Sequence, residues 1–145
     1  MDKFKLNRFI KAQEETYNSA MDELKSGSKY GHWMWFIFPQ VEGLGSTEMT
    51  KKFSIKSLEE AKAYLKHAIL GERLLESCEI LLKLEDVSIS DVMGFPDDLK
   101  LRSSMTLFES ASSKNSIFSK VIDEYYESSR DNKTLDLLNI LEKLN

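Results

Sequence analysis

The sequence predicts an all-α protein, and three observations carry that prediction. Apolar residues recur three and four positions apart along most of the chain, the period of a helix face. Helix punctuation falls where those stripes begin and end: Ser57 with Glu60 three residues on, Pro96 followed by Asp97 and Asp98, and Gly27 after a long stripe. Alternating strand patterns are nearly absent, and two-residue hairpin turns are missing. The expectation is a single compact multi-helix domain of about seven helices, some short, over residues 1–145.

In order, Phe9, Gln13, Tyr17, Ala20 and Leu24 share one face, with Asn7 as N-cap and Gly27 as the stop. The run HWMWFIF reads as a short helix or turn ended by Pro39, since no partner strand is evident. Ser57 opens a helix through Leu58, Ala61 and Leu65. Leu70, Leu74, Cys78, Leu81 and Leu82 mark the next. Pro96 opens another through Leu101, Met105 and Phe108, then come Phe118, Val121, Ile122 and Tyr125. The last helix starts near Asp131 and uses Leu135, Leu138 and Leu141.

A chain of 145 residues suits one domain with a proper core. Apolar residues make up 41% and charged ones 30%, a globular rather than a disordered balance. The net charge of −4 argues against non-specific nucleic-acid binding, and Lys51–Lys52 is too short a run to change that. The one cysteine, Cys78, is spaced like a core residue, which excludes an internal disulfide and fits a reducing compartment. No apolar run approaches membrane-spanning length and the N-terminus lacks a signal-peptide core, so the expectation is a cytoplasmic protein with no membrane partner.

The standard catalytic signatures are missing. His32 and His67 stand far apart, with no HExxH and no CxxC, so no metal is expected. Nor is there a GxSxG elbow, a Walker loop or a full dinucleotide fingerprint, and no cofactor is expected. The stretch GLGST places Gly43 and Gly45 before Ser46 or Thr47, either of which can cap a helix carrying Met49 and Phe53. Turned-in amides at such a start favour an anion, but a plain capped turn is the simpler reading of these residues, and Glu42 and Glu48 oppose a phosphate.

Two segments hold the chemistry. Tyr30–Met49 packs both tryptophans, Trp33 and Trp35, with His32 and Gln40. Flat rings beside polar tips suit a ligand cradle, and they equally suit an aromatic core whose indole N–H groups find acceptors. His32 is the acid–base candidate, because imidazole titrates near neutrality. The second segment, DDLKLRSSMTLF, sets Lys100, Ser103, Ser104 and Leu107 on a stripe next to the core stripe, as a pocket rim would need. The alternative is a solvated helix flank whose serines bond back to the preceding turn.

Together, HWMWFIFPQVEGLG, EEAKAYL with LGERL, DDLKLRSSMTLF and DNKTL resemble the domain of unknown function 1810, over nearly the whole chain from NRFIKAQEETY onward. That resemblance implies an all-helical bacterial protein and no established activity. Members are often labelled calpastatin-like, but calpastatin acts through extended disordered segments and this composition is globular. Two departures stand out. Gly31 replaces the family's usual serine or threonine, and Ala68 replaces a common proline, which would let the helix through His67 run on toward Gly71.

The residues name no reaction. The function expected is a small-molecule-binding or enzymatic cleft for a planar, anionic, nucleotide-like ligand. Trp33 and Trp35 would stack on it, Gln40, Ser103 and Ser104 would hydrogen-bond it, and Lys100 and the Gly43–Gly45–Ser46 turn would meet its charge. The alternative is an adaptor whose exposed aromatics bind a protein partner. The His32–Gln40 segment and the Lys100–Ser104 stripe are expected to face each other across one cleft, where their polar groups would meet directly or across water and ligand.

Overall fold

The long apolar stripes become six helices: α1 (Asn7–Ser26), α4 (Leu58–Lys66), α5 (Leu70–Lys83), α7 (Asp97–Ala111), α8 (Ile117–Tyr125) and α9 (Asn132–Leu144). Three helices of four or five residues lie between them: α2 (Met34–Ile37), α3 (Glu48–Lys52) and α6 (Ile89–Met93). The structure is a computed structural model, and it describes residues 2–144. Among these residues the protein is all-helical, and its one β-bridge joins Val41 to Ile55.

Helix boundaries follow local chemistry, with some changes from expectation. Asn7 is the first helical residue of α1 rather than its cap; the Asp2 carboxylate instead accepts from the N–H groups of Leu6 at 2.8 Å and Asn7 at 2.9 Å. Those bonds hold the Asp2 pKa below the usual carboxylate value. Gly27 ends α1 in the left-handed region at φ 77°. The helix through His67 does not run on. His67 turns outward at ψ 128°, and its Nδ1 accepts from Ile69 N at 3.1 Å and Leu70 N at 3.3 Å, so the imidazole caps α5 as a hydroxyl would. Beyond that turn Gly71 lies against α4 so closely that a Cβ there would sit 2.1 Å from the Leu65 carbonyl oxygen.

Helix α7 is the central element. Helices α4, α6, α8 and α9 pack against it, while α1, α4 and α8 pack against α5. Ring contacts thread the interior from Trp35 to Phe36, Phe53, Phe9, Tyr64, Phe108 and Phe118, with successive centroids 4.8–6.0 Å apart. Gln13 is buried among them and makes three hydrogen bonds through its amide. It donates to the Phe36 carbonyl at 2.7 Å and to Tyr64 Oη at 3.3 Å, and it accepts from Arg73 Nη1 at 3.1 Å. Cys78 is buried beside Met105, and burial pushes its thiol pKa up, away from reactivity.

Candidate functional site

The aromatic segment enters the fold through Glu23, on the last turns of α1. Its Oε1 accepts from the N–H groups of Tyr30 at 2.7 Å and Gly31 at 2.8 Å, and from the indole Nε1 of Trp33 at 3.0 Å. Burial alone would raise the Glu23 pKa. The three donors and the nearby Lys29 outweigh it and hold the carboxyl below its usual value. Trp33 is thus a core residue with its one donor satisfied.

Lys29 ties this turn to α7. Its ammonium contacts Asp97 Oδ2 at 2.7 Å and the Gly31 carbonyl at 2.6 Å, and it lies 4.8 Å from the Trp33 ring centroid. Its side chain is only 6% exposed. Lys100, one turn along α7, is less committed. Asp97 Oδ1 is 3.8 Å away, and the Trp35 ring centroid is 5.9 Å from the Lys100 ammonium. Trp35 and Lys100 are both half-buried, so the aromatic segment and the start of α7 do meet, and they meet where solvent reaches them.

The other predicted residues are more dispersed in role. His32 is exposed and Gln40 half-buried; neither side chain makes a hydrogen bond among the described residues, while the Gln40 carbonyl accepts from Ile55 N at 2.8 Å. Gly43 takes φ 105°, and a Cβ on it would come within 3.0 Å of Leu137, so a glycine there lets the loop lie on α9. Gly45 and Ser46 are exposed, and Thr47 rather than Ser46 caps α3, accepting from Thr50 N at 3.1 Å.

The serines of α7 differ from the expected pocket rim because the helix is surrounded: Ser103, Ser104 and Leu107 are all buried. Ser103 donates to Asp131 at 2.9 Å, and Asp131 also accepts from Thr134 at the start of α9, which fastens α9 to α7. Ser104 Oγ is fully buried with no hydrogen-bond partner among the described residues.

Sequence reasoning missed Glu23 and Lys29. A signal existed for Glu23, since a buried indole N–H requires an acceptor and a carboxylate near a helix end is an obvious one. Lys29 carried none, because its partner Asp97 is 68 positions away and reads as a helix-start residue. Among the described residues no three His, Cys, Asp or Glu side chains cluster as metal ligands, and no helix is long and apolar enough to cross a membrane. Five of the surface concavities lie around α1, α3 and α4, at Tyr17–Arg73, and between Glu109 and Arg130, and these five are not lined by Trp33, Trp35, Lys100 or Ser104.

No curated protein matches the chain. Among solved structures it is similar to the conserved hypothetical protein Rv1873 from Mycobacterium tuberculosis. The two are 47% identical, the alignment covers 95% of this chain and 99% of that one, and the TM-score is 0.93. The family model described as Protein of unknown function (DUF1810) matches residues 3–138, and the chain belongs to that family.

Proposed function

We propose that the solvent-facing part of the aromatic segment, with the first turn of α7, binds a planar, anionic, nucleotide-like small molecule. One observation supports this reading above the others. The Lys100 ammonium lies near a half-exposed tryptophan ring, while the carboxylate beside it is already neutralised by Lys29 at 2.7 Å. A stacking face and a positive charge only loosely held by its own carboxylate are what a flat anion requires. His32 and Gln40, with unspent hydrogen-bonding groups, are the neighbours along the chain that would orient it, and His32 is the group suited to proton transfer. A cytoplasmic setting is part of this reading, in keeping with a single buried cysteine.

A second reading has its own observation. Tyr30 is 79% exposed and Phe95 81% exposed, on turns at either side of the Lys29–Asp97 pair, and large aromatics held out on a pinned scaffold suit a protein partner. A thermal-shift screen with metabolites separates the two, because a native-state ligand must raise the melting temperature. Under the ligand reading a planar anion stabilises the wild type and stabilises Lys100→Ala less. A screen in which no planar anion moves the melting temperature contradicts it.

A further inference from the structure

The chain carries a net charge of −4, yet the surface around the start of α1 is cationic. Two adjoining concavities share Lys5, Arg8 and Lys52 in their walls; one adds Lys11, the other Lys3 and Lys56. The carboxylates in those walls are engaged. Asp2 caps α1, Glu60 pairs with Arg8 at 2.8 Å and accepts from Lys56 N at 2.9 Å, and Glu59 pairs with Lys3 at 3.5 Å. Lys5, Lys11, Lys52 and Lys56 are exposed and have no carboxylate partner among the described residues.

Arg8 sits in the walls of both concavities but has nothing left to offer. Its five N–H groups go to the carbonyls of Phe4 (2.6 Å), Lys5 (2.9 Å), Lys52 (2.8 Å) and Ser54 (2.9 Å), and to Glu60 (2.8 Å). It clamps the segment before α1 to the segment after α3 and fixes the backbone that carries the lysines. Four like charges gathered on that frame repel one another, a cost that a bound anion offsets. Lysine acts on phosphate as a mobile point charge. The rings nearby offer no stacking face, since Phe53 is buried and Phe4 is half-buried with the Lys3 ammonium 5.2 Å from its centroid.

We propose that this double concavity is a second binding site, for a small ligand with several clustered phosphate groups recognised by charge. The probe is tripolyphosphate, titrated calorimetrically into the full chain at about 50 mM salt. Wild type binds, and raising salt to about 200 mM weakens binding. Lys5→Glu/Lys52→Glu weakens it at least about tenfold. Lys11→Glu/Lys56→Glu, at residues that give Arg8 no backbone carbonyl, does the same. Lys120→Glu/Lys133→Glu makes the same change in net charge on α8 and α9 and leaves affinity within about twofold. Melting temperatures near wild type confirm that each variant folds. Three results overturn the proposal: no binding by wild type, equal loss in the groove and control variants, or binding of a single-stranded oligonucleotide where tripolyphosphate does not bind.

Discussion

Trp33 is buried with its indole N–H on Glu23, whereas Trp35, two residues on, keeps part of its ring in solvent near the Lys100 ammonium. Both belong to one short turn, and both sit within 6 Å of a lysine that shares Asp97. They differ in what has been spent. Around Trp33 the indole and the charges beside it are matched: Glu23 takes three donors, and Lys29 holds a carboxylate and a carbonyl. Around Trp35 the lysine is loosely held and the ring open. An aromatic-rich motif therefore says little about function until the hydrogen-bonding account of each ring is drawn up.

The largest effect expected from breaking this contrast is on Trp33. Trp33→Ala empties a buried site and takes one of three donors from Glu23, and should cost about 3–5 kcal/mol of stability, against about 1 kcal/mol or less for Trp35→Ala, both read by chemical denaturation. Equal costs would erase the distinction between the rings.

Glu23→Gln comes next. It removes a carboxylate that accepts three hydrogen bonds and should cost about 2 kcal/mol at neutral pH. The folded pKa of Glu23 lies below its ordinary 4.5, so its contribution is fully present above that value and is lost as pH falls through the folded pKa. Because the variant does not titrate there, its deficit should narrow in acid, and a deficit independent of pH would contradict the assignment.

The smallest effect is expected at Ser104. Its hydroxyl is buried without a partner, so Ser104→Ala should cost no stability and should raise it by up to about 1 kcal/mol. A loss of 1 kcal/mol or more, roughly one hydrogen bond, would mean that the hydroxyl is bonded in the native state.

Helical periodicity made the six long helices legible, because each buries a stripe that repeats with the helix period. The short α6 escaped notice although Ser88 and Asp91 announce it; Ser88 Oγ accepts from Asp91 N at 3.1 Å. Site chemistry was partly legible. The two informative segments come together at one point, Trp35 and Lys100, while Ser104 is buried and His32 exposed, so the expected facing of polar groups across one cleft is not what brings them together. The serine stripe was misjudged as a rim because burial on α7 comes from four helices whose arrangement no local pattern encodes. The cationic concavities were hidden for a related reason: lysines at positions 5 and 11 join those at 52 and 56 only through the Arg8 clamp, while the overall charge is negative.

If Trp35, with Lys100, faces a ligand while Trp33 serves the core, the two rings must respond differently to that ligand. Fluorescence of Trp33→Phe, in which Trp35 is the sole tryptophan, tests it most directly when a purine nucleotide is titrated in. Saturable quenching is expected, weakened at least about tenfold by adding Lys100→Ala, and none is expected in Trp35→Phe, where only the buried ring emits. Non-saturating quenching of equal size in all three proteins would contradict it.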